Sequence, residues 1–440
     1  MNYREAMDYI EELSERVGSV YSLTEVAALS EEAGRPERKL KVIHIAGTNG
    51  KGSVSNYISN ILAMSGYTVG KYISPAIMGY RERIQKVVKD GELPECEWIP
   101  EEKAAELLTK LREACERMVE RGFSQPSAFE VETIMAFLTF ADWQVDYAVI
   151  ETGLGGMMDA TNIIEKPLQC IFTSLSLEHQ RVLGDSLMKI AKEKYGIIKK
   201  NAQVISAEQE DVFELLESQV KRKNAHLFPV SGEEISDVEF TAEHTGFSYR
   251  GVHYELGQLG TCQVENAVLA VESALRLREK GAEKITEDSI RAGLKSSRWR
   301  GRFEVVSENP YVIADGAHNP DAVKRLAESL EVYFKGETFD FIYGVLGDKD
   351  YGKMTEILCP FMRHVYTVKP PVARGLSAED LKHQVEKTAK EQGQSVKVTA
   401  CENVGEALEF AAEHTEGRKI CVCGSLFLLG DVYRKLEDRA

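Results

Sequence analysis

The stretch HIAGTNGKGSVSN, residues 44–56, decides the reading of this chain. Within residues 47–53 it packs three glycines and one lysine. The run before it, LKVIHIA (residues 40–46), is apolar and β-branched, the composition of a buried parallel strand. The run after it places Val54, Ile58, Ile61 and Leu62 on one face of a helix that Gly66 ends. The glycines therefore sit at a strand-to-helix turn, where backbone N–H groups and the helix N-terminus favour an anion. Lys51 can bring a point charge to phosphate, and the Ser53 hydroxyl can ligate Mg²⁺. The spacing G-T-N-G-K-G-S is tighter than the common phosphate-loop pattern, but the strand, loop and helix come in the right order. This is the signature of a nucleotide site.

Working outward, 440 residues suffice for two or three domains with substantial cores. A net charge of −16 argues against nucleic acid or an anionic membrane as the main partner. The eight cysteines show no zinc-like paired spacing. Cys421 and Cys423 share one face of a strand as core thiols, and reduced thiols fit a cytoplasmic protein. The N-terminal segment MNYREAMDYIEELSERV is an acidic amphipathic helix rather than a secretory signal, and no apolar run has the length of a membrane span.

Up to residue 300 strands and helices alternate. VDYAVIE (145–151), QCIFTSL (169–175) and QVISA (203–207) read as buried strands, with helical patterns over 101–121, 130–140 and 186–197. EFTAEHTGFSYRGVHYEL has the character of a small sheet, and the arginine-rich SSRWRGRFE (296–304) that of a hinge. Beyond it the alternation restarts with PYVIADG, FDFIYGV, HVYTV and KICVCGS as strands. The expected fold is α/β and two-lobed. An N-terminal phosphate-loop nucleotide-binding domain with a parallel-rich sheet spans 1–296, and a smaller, Rossmann-like C-terminal α/β domain spans 297–440.

Several residues could carry chemistry. Glu130 opens a helix, where a first-turn glutamate is ordinarily a cap or dipole partner. Glu151 ends a strand at the edge where ligands bind in open α/β sheets, either near Mg²⁺ or as a structural acceptor for the loop. His179, in SLEHQRVLG, comes to the same edge as a metal or phosphate ligand or as a structural imidazole. IAKEKYGIIKK holds four lysines that spacing alone does not rank. In the second half, IADGAHNPDAV carries Asp315, His318, Asn319 and Asp321, which either bind nucleotide or shape a turn and cap a helix. Arg298, Arg300 and Arg302 either neutralise phosphate or form a solvated strip.

Taken in order, GTNGKGS, SPAIMGYRERI, FEVETI, ETGLGGMMDATN, EHQRVLG, EKYGII, ENAVLA, RGRFE, DGAHNPDA, GDKDY and CGSLFLLG resemble the motifs of the folylpolyglutamate synthase/dihydrofolate synthase family. That family belongs to the Mur-type ATP-dependent amide ligases. The resemblance implies an enzyme that activates a folate carboxylate with ATP and joins L-glutamate to it through an acyl phosphate. It implies ATP contacts from Gly47, Thr48, Asn49, Gly50, Lys51, Gly52, Ser53, Asn266, Arg302, Asp315 and His318. It further implies two Mg²⁺ sites using Ser53, Ser74, Glu130, His179 and Lys194, with Lys194 carbamylated into a carboxylate-like ligand. Lys51, Lys194, Arg302 and His318 are the expected catalytic groups. The expected substrates are ATP, L-glutamate and a reduced folate, taken by a monomer.

The chain departs from the family pattern mainly away from the nucleotide. Ala76, Met157, Glu178 and Arg300 stand where other residues are usual, and Met157 and the segment after Ser74 bear on the acceptor side. Folylpolyglutamate synthesis is the main expectation, with dihydrofolate synthesis left open. The alternatives are a Mur-type ligase for a non-folate carboxylate and a nucleotide-binding interaction protein without catalysis.

Overall fold

The computed structural model describes residues 1–15, 22–414 and 419–437. Its chain divides into two compact units. The first comprises Met1–Ser236, Ser248–Tyr254 and Glu265–Ser297; the second comprises Asp237–Phe247, Glu255–Val264 and Arg298–Ala440.

The first unit is built on eight strands: β1 (Val42–Ala46), β2 (Val69–Tyr72), β3 (Ile84–Asp90), β4 (Leu93–Trp98), β5 (Tyr147–Glu151), β6 (Gln169–Phe172), β7 (Gln203–Ala207) and β8 (His226–Val230). They form one sheet in the order β4-β3-β2-β5-β1-β6-β7-β8. Every pairing is parallel except β2 with β3 and β3 with β4. Every residue of β1 and β5 is buried, as a parallel sheet covered on both faces requires. From β1 the chain crosses to β2 on one side, whereas β6, β7 and β8 extend on the other. The strand order thus reverses at β1, and the crevice beyond its carboxyl end is where open α/β sheets bind ligands.

The helix Lys51–Met64 leaves β1 directly. Its sequence predicts one apolar face, yet residues 53–63 are all buried. The polar face is covered by the helix Glu287–Ser296, where Asn60 Nδ2 donates to Ser297 Oγ at 2.8 Å and Ser65 Oγ donates to Ser289 Oγ at 2.8 Å. Gly293 makes that approach possible, because a Cβ there would lie 2.5 Å from Ile61 Cα. A second core gathers the helices Tyr3–Glu15, Thr24–Glu32, Glu101–Glu120 and Ala128–Asp142 around Leu13, Leu108, Ile134 and Phe137. The N-terminal helix predicted to Val17 is described to Glu15; residues 16 and 17 lie outside the described residues.

The strands β9 (Ile235–Phe240), β10 (Thr245–Tyr249) and β11 (Val252–Leu256) make the small sheet expected between residues 239 and 256. In the second unit β12 (Glu304–Glu308), β13 (Tyr311–Ala314), β14 (Phe339–Tyr343), β15 (Met362–Thr367), β16 (Lys397–Ala400) and β17 (Ile420–Cys423) form a sheet in the order β12-β13-β17-β14-β15-β16. Only β12 runs antiparallel to its neighbour. Cys421 and Cys423 are core thiols here, packed with Phe341, Val365 and Leu330. No helix among the described residues is long and apolar enough to cross a membrane.

Gly293→Ala places a methyl group on the backbone of the helix that carries the glycine loop. The expected cost is the ~1–3 kcal/mol of an overpacked core, read as a lowered urea midpoint with an unchanged slope.

Candidate active site

The glycine loop is shaped by its neighbours. A Cβ on Gly47 would fall 1.7 Å from Thr173 Oγ1, so the exit of β6 leaves room only for glycine. Gly50 caps the helix Lys51–Met64 at φ 89°, and a Cβ there would lie 2.4 Å from Asn266 Oδ1. The loop is pinned to the segment after β6: Thr48 N donates to Ser174 O at 2.8 Å, and Ser176 N donates to Thr48 Oγ1 at 3.1 Å. These contacts hold the backbone open at a helix N-terminus, the arrangement that receives phosphate.

Charged groups reach this loop from the end of β5 and from the helix Leu187–Lys194. Lys51 Nζ donates to Thr48 O at 3.2 Å and stands 3.8 Å from Glu151 Oε1, at the end of β5. The register pairs Ile45 with Glu151, which brings that carboxylate level with the start of the loop. Lys194, at the end of the helix Leu187–Lys194, is buried and donates from Nζ to Gly47 O at 2.6 Å. Burial, then the charge of Lys51, pushes the Lys194 ammonium down to about 7, while Glu178, Asp159 and Glu151 oppose the shift. His179 takes a left-handed conformation at the start of the short helix Gln180–Leu183, with Nε2 3.8 Å from Glu178 Oε1. Ser74 follows β2 at the same sheet edge and precedes a cis peptide to Pro75.

Ser53 lies in the first turn of the helix with its side chain buried, and its hydroxyl has no hydrogen-bond partner among the described residues. Such an orphan is costly unless something absent from the polypeptide satisfies it. A hydroxyl so placed is the kind of oxygen donor a hard divalent cation takes, and the Glu151 carboxylate stands 3.8 Å from the amine of Lys51, two residues before Ser53 in the chain. Among the described residues no three His, Cys, Asp and Glu side chains form a ready-made metal cluster.

Glu130 caps its own helix. Its Oε2 accepts from Ser127 N at 2.7 Å and from Ser127 Oγ at 2.8 Å, closing a capping box on the helix Ala128–Asp142. Burial raises its carboxyl, and the groups that act on it are Ser127, Glu25 and Val26 rather than any part of the glycine loop. The carboxylate beside Lys51 is Glu151, which the residues alone had left between a ligand and a structural acceptor. The sequence reading also passed over Asp159 and Glu178 as charges around Lys194, although both lie inside motifs it had singled out.

Within the second unit Arg302, Asp315 and His318 form one cluster at the carboxyl end of β13. Asp315 accepts from Phe303 N at 2.8 Å through Oδ2 and from Ala317 N at 2.7 Å through Oδ1. Burial raises its carboxyl against the opposing charges of Arg302 and His318. His318 Nδ1 donates to Gly316 O at 2.7 Å. A Cβ on Gly316 would lie 2.4 Å from Arg302 Nη1. Asn319 caps the helix Pro320–Tyr333, the structural role open to it from the sequence.

The Mur ligase, glutamate ligase domain family matches residues 301–426. The chain is 31% identical over 416 residues to the dihydrofolate synthase/folylpolyglutamate synthase of Bacillus subtilis, covering 92% of each. It is 31% identical over 445 residues to the folylpolyglutamate synthase of Lacticaseibacillus casei, covering 99% of each. A solved folylpolyglutamate synthase–AMPPCP–folate complex matches with a TM-score of 0.83 and 30% identity, over 99% of both chains.

Gly50→Ala forces an alanine into the left-handed region, at about 1–2 kcal/mol, and drives a methyl group into Asn266. Nucleotide affinity is expected to fall at least about tenfold, measured by calorimetry with a non-hydrolysable ATP analogue.

Proposed function

The chain belongs to the folylpolyglutamate synthase/dihydrofolate synthase family, and on that premise we propose how its residues carry out ATP-dependent ligation of L-glutamate to a folate. The observation that carries the proposal is the glycine loop, with Lys51 and Lys194 converging on it above the orphaned Ser53 hydroxyl.

The acceptor carboxylate attacks the γ-phosphorus of ATP, ADP leaves, and an acyl phosphate forms. The amine of L-glutamate then attacks the acyl carbon, phosphate leaves, and the nitrogen sheds a proton as the amide forms. Gly47, Thr48, Asn49, Gly50, Lys51 and Gly52 hold the phosphates through backbone N–H groups and the Lys51 charge, and Asn266 contacts the adenine. Catalysis is positioning and electrostatics, in a site whose donors are fixed before the substrate arrives. In the second unit the Arg302 guanidinium suits phosphate charge, and Asp315 and His318 complete that unit's contribution to ATP.

Mg²⁺, when bound, would neutralise the phosphate oxygens and polarise the γ-phosphorus. Ser53 and Glu151, with Ser74 at the same sheet edge, are the residues proposed to hold one ion, Glu151 replacing Glu130. His179 and Lys194 are proposed for a second. An ammonium cannot ligate a cation, but a lysine held near neutrality exists partly as the amine. That amine can attack CO₂ and lose a proton to give a carbamate, an anionic oxygen ligand. The burial of Lys194 supports this modification.

We assign the nucleotide to residues 1–296 and the glutamate-ligase function to 297–440. The protein is proposed to act as a cytoplasmic monomer on small molecules, with neither nucleic acid nor membrane as partner. Among acceptors, tetrahydrofolates are favoured over dihydropteroate, because Met157 stands in the loop that departs from the family pattern.

With Mg²⁺-ATP, L-glutamate and bicarbonate, mass analysis is expected to find glutamate added to tetrahydrofolate. Failure to extend either tetrahydrofolate or dihydropteroate, by protein that still binds ATP, would transfer the assignment to a non-folate acceptor. Glu151→Gln should raise the Mg²⁺ concentration needed for half-maximal rate by at least about tenfold. Glu130→Ala should leave that titration unchanged and cost ~1 kcal/mol of stability as a lost cap. Bicarbonate-dependent activation at fixed CO₂ pressure should rise with pH through about 7, since only the deprotonated Lys194 amine reacts. Lys194→Ala should remove both the activation and the activity.

A further inference from the structure

Beneath Lys194 a buried line of polar groups runs from β1 into the loop after β5. His44 is fully buried, and its Nε2 lies 2.8 Å from Thr161 Oγ1. Thr161 Oγ1 donates its single proton to Asp159 Oδ1, so its oxygen accepts from His44 Nε2–H. That fixes the tautomer: His44 Nδ1 is left as an acceptor, and it has no partner among the described residues. Asp159, itself buried, also accepts from the backbone N–H groups of Thr161, Leu154 and Gly153.

The loop held in this way grips the turn that carries Lys194. Gly156 lies flat on that turn, since a Cβ there would meet the Lys194 carbonyl oxygen at 2.7 Å and the Glu193 carbonyl oxygen at 2.8 Å. Met157 N donates to Glu193 O at 2.8 Å, and a Cβ on Gly196 would lie 2.5 Å from Met157 Cβ. Asn162 Nδ2 ties the two segments together, donating to Met157 O at 2.8 Å and to Gly196 O at 3.4 Å. From that turn the Lys194 amine reaches Gly47 O.

We propose that residues 153–162 are a positioning loop for Lys194, fixed by Thr161 acting through Asp159 on one side and His44 on the other. The loop sets where the lysine nitrogen stands above the glycine loop, and hence whether it is held where a carbamate can form and ligate. This rests on the reading of Lys194 as a carbamylated ligand. All three residues in the line are buried, and their effect passes through backbone.

The test uses the full-length protein with ¹³C-bicarbonate, reading the lysine carbamate resonance by NMR beside kcat and KM. Thr161→Val keeps the shape and removes the hydroxyl. It should raise the bicarbonate concentration for half-occupancy by at least about tenfold, the scale on which outer-shell partners act. Its kcat should fall in step while KM for ATP holds, and Thr161→Ser should restore both. Asn162→Asp, which removes the donor to Met157 O, should act in the same direction and serves if the valine variant does not fold. A wild-type carbamate that persists unchanged in Thr161→Val and Asn162→Asp overturns the positioning role alone. A wild-type protein without the resonance overturns the carbamate reading and this inference together.

Discussion

The hydrogen bond from Lys194 Nζ to the Gly47 carbonyl, at 2.6 Å, is the contact on which the arrangement of this site depends. It places a second amine against a loop that already carries Lys51, and Lys194 itself is buried there. Two ammonium groups so close repel each other, and burial adds to the cost, so the system lowers its free energy by releasing a proton from Lys194. The same proximity serves chemistry. On the reading proposed for Lys194, a lysine forced toward neutrality beside the glycine loop is a nucleophile toward CO₂, and its carbamate would supply the anion that a bare lysine cannot.

That geometry is built by exclusion as much as by attraction. Thr173 occupies the space a side chain on residue 47 would need, and Asn266 does the same at residue 50. The left-handed cap at Gly50 then turns the chain into a helix buried on every side, which cannot shift without disturbing the helix Glu287–Ser296 packed on Gly293. Rigidity reaches the phosphate loop from its supports. A loop fixed before the nucleotide arrives spends little of its binding energy on ordering.

The parts of this protein that could be read from the sequence are those whose signal is local. The glycine loop announced itself because strand, turn and helix follow one another without interruption. Strands β1, β5, β6 and β7 were legible as unbroken apolar runs, because both faces of that sheet are covered. β3 and β4 were not: LPECEW is polar and mostly exposed, and its strand character comes from pairing with β3 rather than from its own residues. Glu130 and Glu151 illustrate the limit at the site. The pattern Ser127-x-x-Glu130 is a capping box in any sequence, and that modest local reading describes its structure. Glu151 gains its place from a register between strands more than a hundred residues apart, which no local pattern records.

Lys194 sharpens the point. Its segment holds four lysines of the same intrinsic chemistry, and three of them are unremarkable by composition and by spacing alike. What singles one out is the turn on which it sits, pressed against Gly156 and Met157 from a loop about forty residues earlier. A glycine at 156 and another at 196 are needed for that contact, since either Cβ would collide with the opposite segment. Selection of a reactive lysine here is therefore a property of two backbones that approach too closely for side chains. The polar line beneath them, from His44 through Thr161 to Asp159, keeps that approach in register. On the proposed reading, loosening that line leaves the lysine in the chain and weakens the hold on its nitrogen at the Gly47 carbonyl.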